Sequence, residues 1–130
     1  MVRAGWAVGI GLIVALLQGC ATEPGRAIQN LFTPPKGEAA FKTGLRQYEN
    51  GDYVDSQRSL QSAVEQGLRD GDRVSAHKHL AFIHCASGRE RSCRDEFRKA
   101  LAVDPGLELS AAETGHPVWG PIFRSLKAGR

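Results

Sequence analysis

From Gly37 onward, apolar side chains recur three or four positions apart, and no stretch alternates as a strand would. The spacing predicts an all-α fold. The pattern also repeats. Sliding the chain by the distance from Gly51 to Gly88, 37 residues, sets Gly44 on Ala81, Tyr48 on Cys85, Ser56 on Cys93, Leu60 on Phe97, Ala63 on Ala100 and Val64 on Leu101. Small residues meet small ones, and most large apolar residues meet large ones. Each copy therefore reads as a hairpin of two helices. The first helix ends near a glycine, the residue that best takes the left-handed conformation closing a helix. The second helix folds back. Gly44, Ser56, Ala81 and Cys93 let the two backbones approach, while Tyr48, Leu60 and Phe97 fill the stripe between them.

In the second copy, Leu80-Ala81, Gly88, Phe97, Ala100-Leu101 and Asp104-Pro105 stand at the spacings of a tetratricopeptide repeat, which this stretch resembles. His84 stands where that repeat often has Tyr, and Cys93 where it usually has Ala. The first copy carries Gly44, Tyr48, Gly51-Asp52-Tyr53, Leu60 and Ala63 but lacks the closing proline. Gly67 to Asp72 is expected to be a longer linker that accounts for the extended period. A generic antiparallel bundle would share the helical period without the repeat spacing. Two repeats bury too little by themselves, so a cap is expected. Ser110 and Glu113 have capping-box spacing, and Pro117 suits the first position of a helix. Val118, Ile122 and Leu126, with Trp119 and Phe123, make an apolar face over 117–127. The expected domain is 37–127: two tetratricopeptide-like hairpins and a C-terminal capping helix.

The N-terminal segment has a different character. Arg3 is its only charge before Cys20, and Ala4 to Leu17 carries no strongly polar side chain. That run is shorter than the roughly 20 residues a membrane-spanning helix needs, and it matches the apolar region of a signal peptide. Leu17-Gln18-Gly19-Cys20 closes it as a bacterial lipobox. The small Gly19 gives a peptidase access, and the Cys20 thiol is the soft nucleophile that thioether formation with a diacylglycerol requires. The expectation is a signal peptide over 1–19 with Cys20 as the lipid-bearing first residue of the mature chain. Ala21, rather than Asp, resembles enteric-type lipoproteins sent to the outer membrane, which implies the inner leaflet facing the periplasm. Residues 20–36 include Pro24, Gly25, Pro34 and Pro35 and read as a flexible tether.

Charge narrows the partners. The chain has 17 Lys and Arg against 14 Asp and Glu, too balanced for nucleic acid. Arg124, Lys127 and Arg130 fall where cations favour a helix C-terminus. Cys85 and Cys93 lie symmetrically about Arg89, so an antiparallel hairpin turns them toward each other and predicts a disulfide. The alternative is two reduced thiols in the repeat core. His77, His79, His84 and His116 show no metal-ligand spacing, and no metal is expected. The acidic residues are scattered, and no phosphate loop or nucleophile motif occurs. The chain reads as a non-enzyme with no cofactor besides the lipid on Cys20 and no small-molecule substrate.

The run His79-Leu80-Ala81-Phe82-Ile83-His84-Cys85, then Gly88-Arg89-Glu90, Cys93 to Leu101, and Gly115-His116-Pro117-Val118-Trp119-Gly120-Pro121-Ile122-Phe123 resembles the small tetratricopeptide lipoproteins found with type VI secretion systems, the TssQ-type family. The resemblance implies an accessory envelope protein that binds other secretion components. The alternative is a general envelope-assembly or maintenance adaptor. In either case the partners are the membrane, through the lipid, and other envelope proteins. Repeat geometry points to the face of the first helices, with Lys42, Arg46, His77 and Lys78, as the contact surface.

Overall fold

The structure, a computed structural model, describes residues 32–129. The chain divides between Thr33 and Pro34, and the helical fold belongs to the second unit, Pro34–Arg130. The signal peptide expected over 1–19, the expected lipidation residue Cys20 and the expected tether as far as residue 31 lie outside the described residues. Among the described residues there are six helices and no strand: α1 (Glu38–Glu49), α2 (Tyr53–Gln66), α3 (Asp70–Ala86), α4 (Glu90–Val103), the short α5 (Ala111–Thr114) and α6 (Trp119–Ala128). Helices α1 and α2 form one tetratricopeptide-like hairpin, α3 and α4 the next, and α6 packs on both helices of the second.

The repeat is visible in the backbone of the turns. After α1, the N–H of Gly51 donates to the Tyr48 carbonyl at 3.0 Å and that of Asp52 to Gln47 at 2.8 Å. After α3, Gly88 donates to Cys85 at 3.1 Å and Arg89 to His84 at 2.9 Å. Both are complete Schellman closures. They need a left-handed residue at the same place, which Gly51 (φ +84°) and Gly88 (φ +73°) supply without a Cβ penalty.

The expected linker over Gly67–Asp72 is shorter than its sequence suggests. Helix α3 begins at Asp70, so only Gly67 to Arg69 connect the hairpins. Asp70 and Asp72 sit in the first turn of α3, where carboxylates oppose the helix dipole favourably, and Asp70 accepts from Arg73 at 2.5 Å. The longer period comes from α3 itself, which has 17 residues against 12 in α1.

Helix α3 is the centre of the fold. It touches α1, α2, α4 and α6, and every residue from Leu80 to Cys85 is buried. A helix covered on several sides is apolar on several sides. One face joins Phe41, Leu60, Ala63, Ala76, Leu80 and Ile83 between the hairpins. The other joins Phe82, Cys85, Cys93, Phe97, Leu101 and Phe123 under the cap. Tyr48 packs against both clusters.

The cap forms with one correction. Ser110 and Glu113 make the capping box in both directions, at 3.2 and 2.8 Å. However, α6 starts at Trp119 and not at Pro117. The Trp119 indole N–H donates to the Glu113 carbonyl at 2.9 Å, the His116 ring stacks on Trp119, and the Val118 N–H donates to His116 Nδ1 at 3.2 Å. These local bonds hold Pro117 and Val118 in the turn. Phe123 then meets Phe97 edge-on with ring centres 5.2 Å apart. At the far end, Arg124 donates to the Thr114 carbonyl and Lys127 to the Leu107 carbonyl, so two of the basic tail residues fasten the cap to the preceding loop.

Candidate functional site

The first helices present a continuous run of aromatic contacts. Tyr53 packs edge-on to Tyr48 at 5.4 Å, Tyr48 to His79 at 4.9 Å, and His79 to Phe82 at 5.8 Å. Phe82 stacks on Trp119 at 4.5 Å, and Trp119 on His116. The run passes from the first turn, across α1 and α3, to the capping helix. Tyr53 is about half exposed, Tyr48, His79, Trp119 and His116 are partly buried, and Phe82 lies beneath the surface. The Lys78 ammonium stands 5.8 Å above the Phe82 ring, a cation–π distance.

The polar groups along this run differ in how far they are committed. Lys78 donates to Glu113 at 2.8 Å. Burial pushes the Glu113 carboxyl up, but the Lys78 ammonium and the Ser110 N–H outweigh it and hold Glu113 below the usual carboxylate range. His79 Nδ1 lies 2.7 Å from the Ser75 carbonyl. Burial lowers the affinity of His79 for a proton despite that bond. Burial and the neighbouring Tyr53 push the Tyr48 phenol up. Glu49 and Asp52, in the turn between the two tyrosines, form no ion pair among the described residues.

The four residues expected at the contact surface separate. Lys42 is exposed on α1 and pairs with Glu38 at 2.5 Å. Arg46 is exposed one turn further along. Lys78 reaches the aromatic run but is held by Glu113. His77 is buried and bonds Glu96 at 2.6 Å, between α3 and α4, so it does not join the other three. Glu96 also accepts from Lys99 at 2.6 Å. Burial pushes the Glu96 carboxyl up, and the bonds from His77 and Lys99 outweigh it and lower its pKa.

Cys85 and Cys93 form a disulfide with their Cα atoms 5.1 Å apart. Both are buried in the second hairpin, which gives the bond a structural place and leaves no open sulfur for chemistry. His84 is buried in the position the repeat usually gives to Tyr, and its Nδ1 also accepts from Arg89 Nε at 2.8 Å. Among the described residues no group of three or more His, Cys, Asp or Glu could hold a metal ion, and no helix is long and apolar enough to cross a membrane. Sequence periodicity did not reveal the aromatic run. Its rings come from positions 48, 53, 79, 82, 116 and 119; 48, 82 and 116 recur every 34 residues, and 79 and 82, like 116 and 119, lie three apart, a spacing that could have found it.

No known protein-family model matches the chain, and no solved structure matches it. Among curated proteins it is similar to the photosystem I assembly protein Ycf3 of Synechococcus sp. (strain CC9605), with 26% identity over 84 residues. The match takes in 63% of this chain and 49% of that protein, so the chain spans about half the length of the curated relative it matches.

Proposed function

We propose that this chain is a lipid-anchored docking protein of the bacterial envelope, held at the periplasmic side of the outer membrane and serving a type VI secretion system. A helical repeat domain that binds other proteins is the coarser part of this reading. The observation that carries it is the aromatic run from Tyr53 to His116, which offers Tyr and Trp rings beside exposed charge. Rings of this kind dominate protein interfaces because they bring large area at low entropy cost. The similar Synechococcus protein is by its name an assembly protein, in keeping with a chain that works by holding other proteins. The finer part rests on the sequence: the lipobox ending at Cys20 for the anchor, Ala21 for the outer membrane, and the Gly115–Phe123 run for the secretion family.

Two measurements on the full chain in its host test this. Metabolic labelling with a clickable fatty acid is expected to mark the wild type and to fail for Cys20→Ser. Equal labelling of both removes the anchor from the reading. A photo-reactive residue at position 53 is expected to crosslink components of the secretion membrane complex. Recovery of outer-membrane assembly factors alone overturns the secretion assignment and favours the general adaptor.

A further inference from the structure

A second surface, away from the aromatic run, carries a side chain whose hydrogen bonding the fold leaves incomplete. His77 and His79 are two residues apart on α3, about 200° around the helix, so His77 faces away from the run. Its side chain is 9% exposed, and its Nδ1 stands 2.6 Å from Glu96 Oε2. Burial opposes ionisation of Glu96, but the bonds from His77 and Lys99 outweigh it, and a carboxylate can only accept. The proton of the His77–Glu96 bond is therefore on Nδ1, and in the neutral ring Nε2 keeps a free lone pair. Nε2 makes no hydrogen bond among the described residues. Nor is it sealed in the core, because Arg73 Nε is the one buried side-chain nitrogen or oxygen without a partner among the described residues.

His77 lines a cleft of about 260 Å³ between the two hairpins, and Nε2 opens onto it. The buried His77 and Leu80 form the floor, the partly buried Val64 and Glu96 the sides, and the exposed Gln61, Glu65 and Lys99 the rim. The volume falls below the roughly 300–1,000 Å³ of small-molecule sites and suits a single side chain. Lys99 is committed to Glu96, 2.6 Å away. Glu65 forms no ion pair, and the Gln61 amide no hydrogen bond, among the described residues. The free polar groups therefore include the Nε2 lone pair, the Glu65 carboxylate and the Gln61 carbonyl, all acceptors, with the charge of Glu65 uncompensated. Val64 and Leu80 add apolar surface beside them.

We infer that this cleft takes a lysine side chain of a partner protein, its ammonium donating to His77 Nε2 and Glu65 and its aliphatic stem lying on Val64 and Leu80. An ammonium carries three donors on a compact charge at the end of a flexible four-carbon stem. That matches acceptors spread around a small cleft, with apolar surface for the stem. A guanidinium is a flat fork that pairs best with a carboxylate, and on Glu65 it leaves Nε2 at the floor without a donor. An acidic side chain meets Glu65 and finds Lys99 already paired. Glu96 fixes the His77 ring beforehand, so the acceptor needs no ordering when the lysine arrives. This second contact is separate from the aromatic run and rests on the docking reading above.

The test titrates the full chain in detergent with lysine capped at both ends by amides. The readout is the ring nitrogen signals of the four histidines in long-range proton–nitrogen correlation spectra. The His77 Nε2 signal is expected to shift and saturate, with a Kd in the millimolar range of so small a ligand, while the His79 and His116 signals stay. Capped norleucine keeps the stem and lacks the ammonium. It is expected to bind about tenfold more weakly or worse, the worth of one hydrogen bond to a charged group, and capped Nε-acetyl-lysine likewise. Glu65→Gln, at an exposed position, is expected to weaken lysine about two- to fivefold, the worth of an exposed ion pair, and to leave norleucine unchanged. No saturable shift at His77, equal binding of norleucine, tighter binding of capped arginine or aspartate, or an unchanged titration in Glu65→Gln overturns the inference. If crosslinks from position 53 capture a partner while capped lysine does not bind, docking stands and this inference falls. If capped lysine binds at His77 while those crosslinks capture nothing, the chemistry of the cleft stands and the docking role in the cell falls.

Discussion

The hydroxyl of Ser56 donates to the carbonyl of Gly44 at 2.8 Å, across the first hairpin, at the repeat position where Cys93 in the second hairpin joins Cys85. The two hairpins thus close the same gap by different means. Ser56 is fully buried, so its hydroxyl has no water to fall back on. Ser56→Ala is expected to cost about 1 kcal/mol, the usual net worth of one such bond. Ser56→Val is expected to cost more, about 1–3 kcal/mol, because the site has no room for a second methyl. Urea unfolding of both variants checks the order; equal stability of Ser56→Val and wild type would contradict the packing described here.

The disulfide closes a loop of eight residues' separation. In the chain-entropy model such a short loop stabilises by about 2–3 kcal/mol. The double variant Cys85→Ala, Cys93→Ala is expected to lose roughly that amount and to keep its helical circular dichroism, since α3 and α4 also share the core around Phe97. The non-reduced protein is expected to show neither thiol as alkylatable by mass spectrometry. Free thiols at both positions would return the pair to the alternative of two reduced cysteines in the core.

Much of the hairpin architecture is legible in the sequence, because its determinants are local. Gly51 and Gly88 mark the turns, Ser110 and Glu113 mark a cap, and the apolar period marks the stripe between paired helices. The rest depends on contacts between distant residues. Nothing near Lys78 announces Glu113, 35 positions away. His77 looks like a surface residue by its spacing, and its burial follows from Glu96 on the neighbouring helix. Pro117 has the right chemistry to start a helix. The bonds of Trp119 to Glu113 and of Val118 to His116 nevertheless keep it in the turn. Asp70 and Asp72 have the composition of a loop but serve as the favourable first turn of α3.

Gly120 gives the cap its seat. A Cβ placed there would stand 2.2 Å from the Thr114 carbonyl oxygen, which is backbone and cannot swing away. The same carbonyl accepts from Arg124 at 3.0 Å. Gly120→Ala must therefore force α6 and the end of α5 apart, disturbing the cap in which the Trp119 indole bonds the Glu113 carbonyl. The expected cost is about 1–3 kcal/mol, with a red shift of Trp119 emission as its ring meets water. An Ala variant with unchanged stability and emission would mean that the close approach is not enforced.

Acid should loosen the fold before it reaches the carboxylates. Burial depresses the proton affinity of His79, and burial together with the Arg89 guanidinium depresses that of His84. An unfolded chain has neither restraint, so its histidines titrate near about 6.5. The unfolded state then binds more protons, and stability falls as pH drops through about 6.5 toward the lower folded values. His84 also has a geometric reason to matter. Its Nδ1 accepts from Arg89 Nε, and Arg89 donates onward to Gln57 on α2, both at 2.8 Å. Protonation removes the acceptor and sets a second cation beside the guanidinium, which undoes a strap between the hairpins. Glu96 and Glu113 have lowered folded pKa values. They stay ionised through this window, and their contribution is lost only as pH falls below the ordinary carboxylate range near about 4.3. Thermal unfolding is therefore expected at a lower temperature at about pH 5.5 than at about pH 7.5, with a smaller difference in His84→Gln and a smaller one again with His79→Gln added. A wild-type melting temperature that is flat or rises on acidification over this range contradicts the assignment of both histidines as neutral in the folded protein.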